Sequence, residues 1–324
     1  MLERVGCSIK NNLISMEKQS EFCFSKWSSI LEKHSLDGEI LELPEDVLNF
    51  ILSEKQRIII PKECYPEEED SNESDEEENP PTFPEFSKRV QHIIDDVFSR
   101  RGVFVKTNFH SPKDAFWITT GRTLKIRDLT DFYQLIIASS IVRDDFETIN
   151  KNKHIKPLFV FKEFLEIHPG TEFRCFVKNH KLIGISPKDW PEYHEHICQQ
   201  AQDIRSDILT VFKEGIKNRF PLADHTFDVL RPSKENVQII DLAPFSEETD
   251  SLAFEWDDLK SFEDEGKDVA EFRFIPSDVG IQPTKRNNYG VPQDVLDMFS
   301  GGSGESASEH FTDFMISQAQ REQQ

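Results

Sequence analysis

Hydrophobic positions along the chain switch between the spacing of helices and the alternation of strands. Apolar side chains recur at helical intervals in residues 83–98, 129–140 and 193–220, which predicts three amphipathic helices. Between them, the runs GVFVKTNF and FVFKEFLEI and the hairpin pattern EFRCFVKNHKLIGIS predict strands. Hairpins flank the longest helix without a regular strand–helix–strand rhythm. The pattern therefore predicts an α+β fold with two lobes rather than a doubly wound sheet.

Single residues predict several element ends. In EILELPEDVLNFIL, a strand is followed by a helix that Pro44 is placed to start. QRIIIPK is predicted as a further strand. Thr130 is expected to cap the predicted helix in residues 129–140. Asn179 and His180 form the predicted turn of the hairpin, since asparagine tolerates the left-handed backbone that such turns need.

Composition divides the chain into four regions. Residues 1–62 carry mixed elements expected to pack on the core. Residues 63–82 form an acidic run with serine and proline, which predicts a disordered insert because it cannot bury enough apolar surface to order itself. Residues 83–290 are expected to form the core of the fold. Residues 291–324 contain SGGSGESASEH and predict a flexible tail.

The charge balance narrows the classes of partner. Lys and Arg number 38 and Asp and Glu number 60, which gives a net charge of −22 over 324 residues. Such a chain repels nucleic acid and anionic membrane surfaces, so a basic protein or simple solubility explains the charge. Five scattered cysteines without a CxxC pair are typical of reduced thiols. With no signal-peptide pattern and no membrane-length apolar run, a monomeric cytoplasmic protein is expected.

The predicted hairpin FDVLRPSKENVQIIDLAPF, residues 227–245, has one aspartate among apolar residues in each strand, Asp228 and Asp241. If residues 233–236 form the loop, Leu230 faces Ile239 and Asp228 faces Asp241. By alternation, Asp241 shares its face with Ile239 and Ala243. Like charges directly opposite destabilise a sheet, so a divalent cation, a Lys or Arg, or a shared proton must compensate. Magnesium suits two such carboxylates, whereas a register shifted by one residue would point each acid elsewhere.

Magnesium in proteins is often bound together with substrate phosphates. The chain has neither of the glycine-rich phosphate-binding motifs GxxxxGK[ST] and GxGxxG. Lys106 and Lys162 instead lie within apolar strands. A lysine in that position needs a nearby anion or must extend to water. In TEFRCFV, Glu172, Arg174 and Phe176 share one face, which fits either a structural ion pair or contacts to ribose and phosphate.

Several segments together resemble a known family. FPEF, KTNFHSPKDAFWI, EFRCFVKNHKLIGIS and FDVL…IIDLAPFSEETDSLAFEW, in this order and spacing from about Phe83 to Trp256, resemble the eukaryotic cell division cycle protein 123 family. FCFSKW, LELPEDVLNFIL, the acidic insert and VPQDVLDMFS are similar too, so the resemblance covers most of the chain.

The resemblance implies an ATP-grasp fold that holds ATP between two α+β lobes. It also implies a chaperone-like assembly factor for eukaryotic translation initiation factor two. Such a factor binds the gamma subunit and promotes assembly of the heterotrimer, which supports translation initiation and cell-cycle progression. No turnover is expected, because the chain shows no acceptor-substrate motif. An ATP-grasp ligase or phosphotransferase, and an interaction scaffold without nucleotide, are the alternatives.

Site residues follow from the matched motifs. The resemblance implies phosphate contacts for Lys106 and Lys162, where the family often has arginine at the second position. It implies a loop near the phosphates formed by Asn108, Phe109 (in place of a common tryptophan), Ser111, Pro112, Lys113 and Asp114. It places Glu163, Phe164 and Leu165 at the adenine, where one backbone N–H and one C=O can read the base. Glu172 is assigned to ribose and Arg174 to phosphate, and Lys188 and Asp189 are expected to close the site.

The magnesium ligands implied by the resemblance are Asp228 and Asp241. A third ligand of the family, an asparagine in a D-x-N-P-F motif, is replaced by Ala243 in this chain. Magnesium–ATP binding is therefore expected to persist but to be weaker.

Overall fold

The computed structural model describes residues 16–53, 58–65, 80–98, 101–119, 121–151, 155–263 and 270–278. Most of the acidic insert, at residues 66–79, and the predicted tail at 291–324 lie outside the described residues. Within the described part, no helix is both long enough and apolar enough to cross a membrane.

The helices and strands alternate irregularly along the chain. The helices are α1 Met16–Ser20, α2 Phe24–Ile30, α3 Glu45–Leu52, α4 Pro84–His92, α5 Leu129–Ala138, α6 Ser140–Lys151, α7 Glu195–Val211 and α8 Trp256–Ser261. The strands are β1 Glu39–Glu42, β2 Val103–Lys106, β3 Leu158–Glu163, β4 Glu172–Lys178, β5 Lys181–Pro187, β6 His225–Ser233, β7 Asn236–Pro244 and β8 Glu271–Phe272. Both α4 and α7 continue into a wider π-helical turn, Ile93–Val97 and Phe212–Ile216.

Local sequence explains several element ends. The structure corrects two predictions and adds one helix that was not predicted. Pro44 precedes α3 as expected, with two acids in its first turn. Asp128, not Thr130, caps α5, since its carboxylate accepts the N–H of Asp131 at 2.8 Å. Residues 58–60 are not in a strand, although QRIIIPK is apolar enough to suggest one. The helix α6 was missing from the predicted elements, because its polar sequence hides one buried face.

The first lobe is built on an antiparallel sheet with strand order β1-β3-β2. One face of β3 buries Phe159 and Phe161 against α5, where Phe132 packs on both rings. The other face of β3, with Leu158 and Val160, belongs to the apolar core of the second lobe. The three-stranded sheet is therefore covered on both sides, and the face with Leu158 and Val160 packs toward the second lobe.

The second lobe is a five-stranded sheet with strand order β7-β6-β4-β5-β8, antiparallel except for β8, which runs parallel to β5. Helix α7 buries Ile204 and Ile208 in the same core as the inner face of this sheet. The β4–β5 turn has φ of 52° at Asn179 and 58° at His180, which confirms the predicted turn. This two-lobed α+β arrangement is the one that the hydrophobic pattern predicts.

A bulge in β7 decides which side chains of the hairpin face the second lobe's core. Asp228 pairs with Asp241, as predicted, but Val229 already pairs with Ile239, so Ile240 is an inserted residue. Ile239 is therefore fully buried in the core while Asp241 lies on the opposite face. The prediction that these two residues share a face was wrong. So was the pairing of Leu230 with Ile239, because Leu230 pairs with Gln238.

Candidate functional site: a charged cleft between the two sheets

A cavity of about 360 Å³ lies between the two sheets. Its lining residues come from both lobes: Leu36, Phe104, Lys106, Ser111, Leu124, Lys162, Glu163, Phe164, Leu165, Ile167, Glu172, Lys188, Asp228, Ile240 and Asp241. Ten of these residues are ones that the sequence analysis assigns to the site. The cavity has the size of a small-molecule pocket.

Strands β2 and β3 supply two lysines to the first wall of this cleft. Phe104 pairs with Lys162 and Lys106 pairs with Val160, so both lysines lie on the face opposite the core residue Phe161. Only 4% of Lys106 and 5% of Lys162 is exposed. The alternative that these lysines extend to bulk water is therefore wrong, and both amines remain in the cleft.

The opposite wall carries a compact charge cluster on β4, β5 and β6. The Arg174 guanidinium donates from Nε and Nη2 to the two oxygens of Asp228, each at 2.8 Å. Lys188 Nζ donates to Oδ2 of the same carboxylate at 2.7 Å and lies 3.5 Å from Glu172. Asp228 thus has three charge-assisted hydrogen bonds within its own lobe.

Two contacts from the lysines join the lobes across the cleft. Lys106 Nζ lies 2.6 Å from Oδ1 of Asp241, and Lys162 Nζ donates to the carbonyl of Ile240 at 2.9 Å. That carbonyl belongs to the residue inserted by the bulge. The Lys162 amine also lies over the rings of Phe24 at 4.4 Å and Trp27 at 5.6 Å. Helix α2 therefore forms part of the wall behind Lys162.

Burial and charge shift the pKa values of the groups in this cleft. Burial, followed by the nearby Lys106, lowers the pKa of Lys162 to about 7. Burial raises the pKa of Glu172. Burial works against the ionised form of Asp228, but Arg174 and Lys188 outweigh it and hold the pKa of this carboxyl well below its usual range. Arg174 and Lys188 thus favour the ionised form of Asp228, whereas the lowered pKa of Lys162 brings its loss of charge close to neutral pH.

The apolar end of the cavity is lined by the segment after β3. Phe164 and Leu165 lie there with Phe104, Leu124 and Ile167. The N–H of Phe164 donates to the carbonyl of Gly102 at 2.9 Å, so it is engaged within the sheet. The Phe164 N–H is therefore not available to a ligand, and only another backbone group of the segment after β3 could bind the edge of a base.

Seven predicted site residues lie outside the cavity lining: Asn108, Phe109, Pro112, Lys113, Asp114, Arg174 and Asp189. Asn108 holds the start of β3, since it donates to the Lys156 carbonyl at 3.0 Å and accepts from Leu158 N at 3.1 Å. Asp114 accepts from the Ser139 hydroxyl and from Ile141 N at the start of α6. Phe109 packs against the core of the first lobe. These three residues shape the loop, and Ser111 is the loop member that reaches the cavity.

Five lining residues were missed by the sequence analysis: Leu36, Phe104, Leu124, Ile167 and Ile240. Phe104 could have been found, because strand alternation puts it on the same face as Lys106. Ile240 could not, since it reaches the cavity only through the bulge. Leu36, Leu124 and Ile167 lie in connecting segments, where the sequence gives no period to follow.

The chemistry of the donor set fits a magnesium ion with a phosphate ligand. Asp228 and Asp241 pair directly across the hairpin, and carboxylate oxygens are the ligands that magnesium prefers. Three donors contact Asp228, which leaves room for a further contact, because a carboxylate has about four lone-pair sites. Ala243 lies two residues beyond Asp241 and pairs with Thr226, so it follows Asp241 on the same face with a methyl group only. Asp228 and Asp241 are the residues that would hold the ion, and the two lysines would face its phosphates.

Comparison with known proteins gives consistent matches over most of the chain. The family model described as D123 matches residues 27–299. A Xenopus tropicalis protein named "Translation initiation factor eIF2 assembly protein" is 35% identical over 305 residues, which cover 86% of this chain and 90% of that protein. A Danio rerio protein of the same name is 30% identical and covers 86% of this chain and 88% of its own length.

A solved structure matches as well. The structure of Cdc123 from Schizosaccharomyces pombe has a TM-score of 0.66 and 28% identity, covering 82% of this chain and all of that chain. The two sheets and this match confirm the two-lobed α+β fold that the sequence analysis predicts.

Proposed function

The chain belongs to the D123 family, and on that premise we propose that it is an ATP- and magnesium-binding assembly factor for translation initiation factor eIF2. The relatives carry the name of eIF2 assembly proteins. One observation in this chain supports the nucleotide. Two buried lysines from one sheet and two facing carboxylates from the other lie in a single cavity.

Each part of the cavity has a task in this proposal. Lys106 and Lys162 neutralise the phosphates, and the apolar end around Phe164 takes the base. Asp228 and Asp241 would hold the magnesium ion, which would supply positive charge to the phosphates. Arg174 and Lys188 keep Asp228 ionised and oriented.

The partner proposed is the gamma subunit of eIF2, and the setting proposed is the cytoplasm, where its assembly supports translation initiation and cell-cycle progression. The net charge of −22 favours a basic protein surface over nucleic acid. The chain acts as a monomeric chaperone without turnover.

The test separates nucleotide binding from partner binding. ATP with magnesium is titrated calorimetrically into the wild type, into Lys106→Ala and into Lys156→Ala, which removes an exposed lysine that pairs with Glu42 and does not line the cavity. The same proteins are used to capture the gamma subunit of eIF2. We expect ATP binding in the wild type and in Lys156→Ala, a loss of at least tenfold in Lys106→Ala, and capture of the gamma subunit by the wild type.

Other outcomes would redirect the proposal. Capture of the gamma subunit without any ATP binding would favour the nucleotide-free scaffold. Release of ADP or AMP on addition of small carboxylic acids would favour a ligase. Failure to capture the gamma subunit would overturn the assembly role.

A further inference from the structure

A second group of possible metal ligands lies outside the nucleotide cleft, in the loop between β5 and α7. Asp189, Glu192 and His194 each offer one ligand atom there, and these atoms all lie within 4.8 Å of one another. Among the described residues, no other His, Cys, Asp or Glu side chains form such a group of three. None of the three lines the nucleotide cavity.

Two atoms in this group are buried without a hydrogen-bond partner. These atoms are Oδ1 of Asp189 and Nε2 of His194, and each side chain is only 11% exposed. A buried polar atom without a partner is costly, so each such atom calls for a ligand. Nε2 of His194 also lies 2.7 Å from Oδ2 of Asp189 in an orientation that makes no hydrogen bond. This contact is an ion pair when the imidazole is protonated, and a cation bound to both side chains would take the place of that proton.

The loop that contains Gly170 holds these ligands in place. The Gly170 N–H donates to Oδ2 of Asp189 at 2.7 Å, and the Gly170 carbonyl lies 3.0 Å from Nε2 of His196. A Cβ added at Gly170 would lie 2.7 Å from the His194 ring, so backbone and imidazole are in close contact. One carboxylate oxygen is thus fixed by a backbone donor while the other stays available. Outer contacts of this kind orient the ligands of metal sites.

We propose that Asp189, Glu192 and His194 form a binding site for a divalent transition metal ion, of which Zn²⁺ is the representative. One imidazole and two carboxylates suit Zn²⁺, with water as a fourth ligand. The imidazole distinguishes this set from the all-carboxylate pair in the cleft, since magnesium prefers oxygen ligands.

The position of the site gives the ion a structural role. Lys188 and Glu172 line the cleft next to this loop, and the N–H of Lys188 donates to the Glu172 carbonyl at 2.9 Å. An ion at Asp189 would tie the loop before β4 to the loop after β5. It would therefore fix the strand ends from which Glu172 and Lys188 reach the cleft.

The test uses the full chain, freed of metal with a chelator and titrated calorimetrically with Zn²⁺ alone. We expect one Zn²⁺ per chain, with affinity reduced by at least about tenfold in His194→Ala and in Glu192→Gln, because even outer-shell changes cost that much. Glu195→Gln and His92→Gln are the matched controls, since Glu195 lies outside the ligand set and His92 is an exposed histidine on α4 paired with Asp96, and both should bind as the wild type does. Excess Mg²⁺ should not displace the ion.

A second measurement guards against variants that simply fold poorly. The melting temperature of the wild type should rise with Zn²⁺, whereas that of His194→Ala should not respond, even if it starts lower. Binding that is equal in all variants would point to a cysteine or another histidine and overturn the proposal. So would the absence of any Zn²⁺ binding by the wild type.

Discussion

Asp228 and Asp241 face one another across the same hairpin but are held very differently. Asp228 is 5% exposed and bonded by Arg174 and Lys188 from its own sheet. The side chain of Asp241 is 33% exposed, and its ion pair with Lys106 comes from the other lobe. The first carboxylate is part of the fold of its lobe, whereas the second depends on how the two lobes meet. In the proposed function, Asp228 is the fixed ligand and Asp241 exchanges a lysine for the ion.

The largest effect is expected from removing the charge of Asp228. Asp228→Asn leaves Arg174 and Lys188 buried without their anion, so the free energy of unfolding should fall by about 3–5 kcal/mol. Asp241→Asn should cost about 1 kcal/mol, because the asparagine oxygen can still accept the hydrogen bond of Lys106 and because Asp241 itself is partly exposed. Urea denaturation of both variants at neutral pH measures the difference. Equal losses in the two variants would contradict the comparison.

The stability difference for Asp228 also has a predicted pH dependence. Its pKa is lowered by folding, so its stabilising contribution is complete above the unfolded pKa of about 3.9 and is lost as the pH falls toward the folded pKa. The gap between wild type and Asp228→Asn should therefore be constant from pH 8 to pH 5 and shrink below about pH 4. A gap that already closes near pH 6 would show that another group is responsible.

The next largest effect is expected on ATP binding when Asp241 loses its charge. Asp241→Asn should weaken ATP binding in magnesium by at least tenfold, about 1.4 kcal/mol, and leave ATP binding in chelator almost unchanged. The control is Asp203→Asn, which removes an exposed acid on α7 that pairs with Lys234. Calorimetric titration with and without magnesium gives both values. An equal loss in chelator would mean that Asp241 acts on the fold of the cleft rather than on the ion.

The comparison extends to the lysines, because Lys106 has a carboxylate partner and Lys162 has a carbonyl. With a pKa of about 7, Lys162 is mostly neutral at pH 8 and should take up close to one proton when the triphosphate binds. At pH 6 it is already charged, so the uptake should be small. Titrations in two buffers of different ionisation enthalpy count the protons. Lys162→Arg, which stays charged, should bind ATP without uptake at either pH.

The smallest effect is expected at Ala243. Ala243→Asn adds a side-chain ligand on the face of Asp241 and should strengthen magnesium–ATP binding several-fold, or roughly 1 kcal/mol. The measurement is again calorimetry over a range of magnesium concentrations. The same magnesium dependence in wild type and variant would show that the missing asparagine is not what limits the ion.

Local pattern was enough to predict the parts of the site that lie within single strands or one hairpin. The cleft-facing lysines follow from strand alternation. The predicted pairing of Asp228 with Asp241 is also found, but only because two register shifts cancel, one between Leu230 and Ser233 and one between Asp228 and Val229. The partners of these groups could not be predicted, since Lys106 and Asp241 are 135 residues apart and meet only when the lobes pack. Glu172 and Arg174 were considered as one ion pair, but each takes its partner from a neighbouring strand, Lys188 and Asp228. Sequence alone could not choose between those partners.

The bulge in β7 also determines where a related sequence could lose or gain one residue without changing the strand pairing. Loss of Ile240 would leave Asp241 opposite Asp228 and Ile239 opposite Val229, because the bulge residue is unpaired. The cleft would lose one apolar wall and the carbonyl that holds Lys162. An insertion between Asp241 and Ala243, in contrast, would turn one of them to the core. Strand pairing therefore tolerates the loss of residue 240, at the expense of the cleft, whereas an insertion after Asp241 disrupts the pairing itself.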